Sequence, residues 1–210
     1  MAYEDFTGFT EVDSSAEITV AQNTITAEFT TGYDQGYVYD DKGVGHFGDF
    51  EHQFESQNSL YGGSGVGAKS YPWAVSNEIG IVDDWSGDCM AVMHRIYTDA
   101  DDRFYLYDEG GYDSTSTWGN SNPNYYLDVS RSSTTGTAEI YSDSNRTTLE
   151  DTLTLSVSNT TFRYVYGFSA VHGGDYTLVV KNLDLQEAAA GIARPKINGS
   201  LAHGRVGLVA

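Results

Sequence analysis

YYLDVSR (125–131), GTAEIYSD (136–143), DTLTLSV (151–157), RYVYGFSAV (163–171) and DYTLVVKNLDL (175–185) follow one another with short polar turns between them. In the first, Tyr125, Leu127, Val129 and Arg131 fall on one side, and Tyr126, Asp128 and Ser130 on the other. In the second, Ala138, Ile140 and Ser142 oppose Thr137, Glu139 and Tyr141. A period of two, repeated over successive runs with turn residues between, predicts antiparallel strands that each bury one face. The fold class is therefore all-β, an antiparallel sandwich or barrel.

The same reading extends toward the N-terminus. AEITV (16–20) and TITAEFT (24–30) form a hairpin around Gln22-Asn23, and GYVYDD (36–41) is a short strand before the glycine-rich KGVGHFG. GDFEHQFESQ (48–57) puts Phe50, His52 and Phe54 on one face and Asp49, Glu51, Gln53 and Glu55 on the other. YGGSGVGAKS (61–70) is a loop. SYPWAVSNEIGI (70–81) resumes strand character, with Pro72 near its start, where a missing N–H is tolerated. CMAVMHRIYT (89–98) is almost continuously apolar, as a strand buried on both faces would be. RFYLYDEGG (103–111) pairs back on it, and 112–124 reads as loop. LQEAAAGIA (185–193) has helix propensity, but Gly191 and Pro195 confine it to a turn or two.

Three segments follow from this. Residues 1–15 are an N-terminal arm or first edge strand, 16–187 the sandwich, and 188–210 a C-terminal tail. The 210 residues carry a net charge of −19. The tail has Arg194, Lys196 and Arg205 and no acid, so 1–187 stand at −22 (8 basic against 30 acidic residues). That balance argues against nucleic acid, which needs clustered Lys and Arg, and against an anionic membrane surface. The opening MAYEDFTGF lacks the basic and apolar regions of a classical signal peptide, and no apolar run is long enough for a membrane insertion. The lone Cys89 cannot form an intrachain disulfide and reads as a small core residue.

GDFEHQFE, YPWAVSN, DDWSGD, RFYLYDEGG, NYYLDVSR, TAEIYSDSNRTTLEDTLTLSV, TFRYVYGFSAV and YTLVVKNLDL, in that order, resemble the concanavalin A-like lectin/glucanase sandwiches, the LamG-like jelly rolls. The resemblance covers roughly residues 16–187. The Met1 start and the ending GIARPKINGSLAHGRVGLVA look like those of phage or virion structural proteins. A fold so widely reused does not itself state a function.

The resemblance implies three sites to weigh. Glucanases of this fold carry acids in the pattern E-x-D-x-E. The nearest match here, Asp49-Phe50-Glu51-His52-Gln53-Phe54-Glu55, departs from it and leaves Glu51 and Glu55 as the acid/nucleophile candidates. Retaining hydrolases need carboxyls about 5–5.5 Å apart, whereas i and i+4 on one strand lie about 13 Å apart. A solvated sheet face is the plainer reading. Lectins of this type often carry Ca²⁺, which takes six to eight oxygens. The candidates are Asp83, Asp84 and Asp88 in one turn, with Asp99, Asp101 and Asp102 in another. No cofactor is required. Trp85, Trp118 and Tyr112 lie in loops and can stack on sugar rings, while Trp73 sits on a strand. His46, His52, His94, His172 and His203 are scattered without zinc spacing. No G-x-S-x-G elbow or P-loop occurs.

The first-ranked expectation is a non-enzymatic structural subunit, as in a phage capsid decoration or other surface assembly. Its tail residues Arg194, Lys196, Arg205 and Leu208 would contact other copies, placing it in a virion or on an extracellular surface. The second is a glycan-binding adhesion module, and the third a β-glucan hydrolase.

Overall fold

The computed structural model describes residues 3–29, 35–60, 68–98, 101–108, 110–115, 124–158, 160–171 and 176–186. Among these the strands are β1 (Thr10–Asp13), β2 (Ile18–Ala21), β3 (Thr24–Phe29), β4 (Gln35–Asp41), β5 (Phe50–Leu60), β6 (Ala68–Ser76) and β7 (Cys89–Thr98). They continue with β8 (Asp101–Asp108), β9 (Gly111–Ser114), β10 (Tyr125–Ser132), β11 (Thr135–Tyr141), β12 (Leu149–Ser156), β13 (Tyr164–Val171) and β14 (Tyr176–Asp184). They form two seven-stranded antiparallel sheets. The first has the order β1-β4-β13-β6-β7-β8-β9, and the second β12-β11-β10-β5-β14-β3-β2.

The alternation read from the sequence is what faces the sheets toward each other. Leu127 and Val129 of β10, Ala138 and Ile140 of β11, and Phe54 of β5 point inward and are fully buried. They meet Trp73, Val75, Val92, Phe104 and Val165 of the first sheet in one core. Burying side chains of this size is worth about 1.5–3 kcal/mol each, which makes this layer the main source of stability. Cys89 is buried, as expected. β7 is buried on both faces from Cys89 to His94, also as its composition predicts.

The N-terminal residues are part of the sandwich. A 3-10 turn, Phe6–Gly8, is capped by Asp5, whose Oδ1 accepts from the Thr7 N–H at 3.0 Å. It drives Phe6 fully into the core. β1 then becomes an edge strand of the first sheet. The loop expected over 112–124 instead contributes β9 at the opposite edge, because Gly111 to Ser114 pair with β8.

Pro72 lies in the middle of β6, a central strand, rather than near its start. The ladder slips between Ser70 and Trp73, and the neighbouring β13 slips between Tyr166 and Phe168. A bulge absorbs the missing N–H. At the second slip the residue is Gly167, where a Cβ would sit 2.7 Å from Phe6 Cε1 and 2.8 Å from Ile25 Cδ1. Only glycine lets β13 approach the Phe6 turn so closely. The tail, residues 188–210, lies outside the described residues.

The core also holds polar groups. His52 is fully buried, and its Nδ1 accepts from Trp73 Nε1 at 3.1 Å. Its Nε2 finds no hydrogen-bond partner among the described residues. Burial, helped by the positive charges of His46 and Lys42, lowers the His52 pKa to about 3, so the ring stays neutral. Further along the interface Asn58 Nδ2 donates to Ser70 Oγ at 3.3 Å, and Ser70 Oγ donates to the His94 carbonyl at 2.9 Å.

Candidate functional site

The outer face of the first sheet departs from what a solvated sheet requires. Its side chains line up in rows across the strands, fixed by the ladder register. One row runs Tyr39, Tyr166, Ala74, Ala91, Tyr107, Tyr112, over β4, β13, β6, β7, β8 and β9. It has tyrosines at both ends and two alanines in the centre. On one side of it Tyr37, Ser169 and Tyr71 are in register, and Met93, Tyr105 and Ser114 continue the same line across the later strands. Next to these stand Lys69, Arg95 and Arg103.

The connection between β6 and β7 folds back over this face. Its 3-10 turn, Val82–Asp84, is anchored by the Val82 N–H donating to Ser169 Oγ at 3.2 Å. Tyr166 Oη donates to the Glu78 carbonyl at 3.0 Å and accepts from the Gly80 N–H at 3.2 Å. Trp85 then lies edge-on to Tyr166 with ring centroids 4.9 Å apart. Val82, Ala74, Ala91, Met93, Tyr71, Tyr105, Tyr164 and Tyr166 form a second apolar cluster, outside the core, with Tyr37, Tyr39 and Trp85 half-buried against it. Rings pack throughout: Tyr39 stacks on Tyr166 at 5.6 Å, and Tyr105 meets Tyr112 edge-on at 5.4 Å. Tyr112 is 63% exposed.

The loop is held by charge as well. Tyr71 Oη donates to Asp83 Oδ1 at 2.5 Å, and Lys69 Nζ lies 3.3 Å from Asp83 Oδ2. Burial, reinforced by the hydrogen-bonded Asp83, pushes the Tyr71 phenol well above its usual range. Burial does the same for Tyr166. Both remain protonated donors at any physiological pH. The result is a wall of rings in which Tyr71, Tyr105, Tyr164 and Tyr166 are buried, Tyr37, Tyr39, Tyr107 and Trp85 half-buried and Tyr112 exposed.

Of the stacking candidates, the structure brings Trp85 and Tyr112 to this one face, while Trp118 lies outside the described residues. Trp73 is a core residue. Sequence reasoning missed Tyr37, Tyr39 and Tyr107. The available signal was the Tyr-x-Tyr spacing in GYVYDD, RFYLYD and RYVYG, which puts two rings on the same face of each strand.

The acidic turn does not gather on a point. Asp83 is engaged by Tyr71 and Lys69, and Asp88 Oδ2 accepts from Thr160 Oγ1 at 2.6 Å. Among the described residues no group of three or more His, Cys, Asp and Glu side chains is placed to hold a metal ion. Asp99, His172 and His203 lie outside the described residues, as do Arg194, Lys196, Arg205 and Leu208.

Glu51 and Glu55 project from β5 on the opposite side of the molecule, the outer face of the second sheet. Glu55 Oε1 accepts from Asn182 Nδ2 at 2.7 Å. A carboxylate pair that the sequence did not single out, Asp128 and Glu139, stands in direct register on β10 and β11. Burial raises the Asp128 pKa against the opposing pull of Arg146, whose Nε lies 2.5 Å from its Oδ1. Glu139 Oε2 accepts from Tyr141 Oη at 2.8 Å. Each carboxylate of this pair is tied to a neighbour on its own face.

No protein-family model matches the chain, and no curated protein matches it in sequence. Solved structures do match in shape. A legume lectin-like domain from Entamoeba histolytica superposes with a TM-score of 0.62 at 13% identity, covering 84% of this chain and 88% of that one. The fold is concanavalin A-like. A β-glucanase from Bacillus licheniformis gives 0.55 at 12% identity, covering 87% and 95%. The exoplasmic/lumenal domain of VIP36, in its Ca²⁺/Man-bound form, gives 0.56 at 10% identity, covering 88% and 85%. The concanavalin A-like sandwich is thus shared with lectins and glucanases alike. Among the described residues no helix is long and apolar enough to cross a membrane.

Proposed function

We propose that this chain is a non-catalytic glycan-binding module that uses the outer face of its first sheet. The observation that carries the reading is the tyrosine row flanking Trp85. Sugar rings present C–H faces that stack on aromatic rings, while their hydroxyls need fixed donors and acceptors nearby. Tyr39, Tyr107, Tyr112 and Trp85 supply the first, and the exposed carboxylates of Asp83 and Asp84 beside Trp85 the second. The lectin-like neighbours, one of them in a mannose-bound form, support the same reading.

Hydrolysis is the weaker reading. Glu51 and Glu55 are four residues apart on one strand, hence about 13 Å apart along it. That exceeds both the retaining separation of about 5–5.5 Å and the inverting range of about 6.5–9.5 Å. The assembly role depends on residues 188–210, outside the described residues. Light scattering of the full chain beside one ending at Glu187 tests it, with unchanged oligomers counting against it.

The test of glycan binding is a glycan array followed by calorimetric titration, with and without Ca²⁺. Saturable binding is expected, and Tyr112→Ala should weaken it by roughly tenfold or more, the scale of an aromatic hot spot. A complete absence of saturable binding in both conditions would sink the reading.

A further inference from the structure

The accessible rings of the first sheet stand toward the two margins of its outer face. Along the row Tyr39, Tyr166, Ala74, Ala91, Tyr107, Tyr112 the middle three are fully buried. Tyr39 and Tyr107 are half-buried, and Tyr112 is exposed. Tyr39 belongs to β4 and Tyr112 to β9, with four strands between them. Neighbouring strands are about 4.8 Å apart, so the two ends are separated by about 24 Å. Over the middle, Trp85 packs on Tyr166 and keeps part of its own ring accessible. The open aromatic surface is therefore spread along a line that crosses the strands. No single sugar reaches from one end of it to the other.

The line is also twisted. Adjacent strands rotate by roughly 20–25°, so the directions of β4 and β9 differ by on the order of 100° and the end rings face different ways. A flat lattice of packed chains cannot meet both ends. A single hydrated chain that turns about its own axis can.

Resting on the glycan reading, we infer that the ligand is a soluble, linear polysaccharide chain laid across the strands and held at Tyr39, Trp85 and the Tyr107–Tyr112 pair. A terminal mono- or disaccharide and a crystalline polymer surface are both disfavoured. Each ring stacks on the C–H face of one sugar. Once one station is occupied, the next acts on a tethered sugar at high effective concentration. Affinity then grows with chain length without any new kind of contact, and chains too short to span two stations gain nothing.

The experiment is calorimetric titration of the full chain with laminari-, cello-, manno- and xylo-oligosaccharides, and with any further linear chain that binds on the array. Each series runs from the monosaccharide to the hexasaccharide, beside sedimentation with crystalline cellulose and chitin. In at least one series the hexasaccharide is expected to bind about tenfold or more tightly than the disaccharide. Tyr112→Ala and Tyr39→Ala, at opposite ends of the line, should each remove most of that gain at an unchanged melting temperature. Tyr112→Ala, at the more exposed position, carries the test if Tyr39→Ala does not fold. Equal affinity for disaccharide and hexasaccharide, or a gain that survives Tyr112→Ala, overturns the inference but leaves glycan binding standing. An array positive only for terminal or branched sugars does the same, as does tighter binding to the crystalline polymers than to any hexasaccharide. No saturable binding to any sugar here or on the array removes the glycan reading and this inference together.

Discussion

The two outer faces of this sandwich share an architecture and differ in everything else. Each belongs to a seven-stranded antiparallel sheet with its inner side in the common core. The second sheet turns Gln53, Glu55, Tyr126, Asp128, Thr137 and Glu139 outward, a polar surface of moderate exposure. The first turns Tyr71, Ala74, Ala91, Met93, Tyr164 and Tyr166 outward and covers them with the β6–β7 connection. A sheet needs only one apolar face to hold the fold. The second apolar face is therefore the side on which to look for work beyond stability.

Removing one ring from each side tests the contrast most severely. Tyr166→Ala, at a fully buried position, should cost about 3–5 kcal/mol in urea unfolding. Tyr126→Ala, half-buried on the polar face with the Arg146 guanidinium 5.9 Å from its ring, should cost less than about 1 kcal/mol. Equal losses would erase the distinction between the faces.

The layer between them responds to acid. His52 titrates at about 3 in the folded chain and about 6.5 when unfolded. Its folded pKa is depressed, so full stability holds above 6.5 and declines as pH falls toward 3. The slope should reach about 1.4 kcal/mol per pH unit from this residue alone. His52→Phe should flatten that part of the pH profile, and an unaltered slope would show that His52 is not its source.

Smaller effects sharpen the boundary. Tyr166→Phe loses the donor to the Glu78 carbonyl and leaves the Gly80 N–H short of an acceptor. About 1–2 kcal/mol is expected, with the loop loosened and glycan affinity reduced. Glu51→Gln, exposed on the polar face, should change stability by less than about 0.5 kcal/mol and leave affinity untouched. A marked loss of binding in Glu51→Gln would move the site to the other sheet.

How much of this was legible depended on which face a strand exposes. β10 and β11 announced themselves because water on one side enforces strict alternation. β7 gave no alternation, and its apolar run was correctly read as burial on both sides, but what covered it was not readable. The cover is the DDWSGD turn. Its acids suggested a metal, whereas Asp83 binds Lys69 and Tyr71. The cross-strand rows escaped notice because their members lie far apart in the chain, as with Tyr39 and Tyr166 or Tyr37 and Ser169. Pairing register is not encoded in any single segment. Pro72 misled for a related reason, since its compensating bulge involves a partner strand.

The last two strands among the described residues occupy central positions: β13 lies between β4 and β6, and β14 between β3 and β5. On a ribosome, where the N-terminal part emerges first at about 5–20 residues per second, every earlier strand is out while both sheets are still split. Four strand edges then stand open at once, each a template for pairing with another nascent chain. Dominance by such long-range pairings places the chain among slow folders, with times of milliseconds to seconds. Stop codons or damaging substitutions after about residue 160 should therefore be read out as aggregation during synthesis rather than as a merely weakened native state.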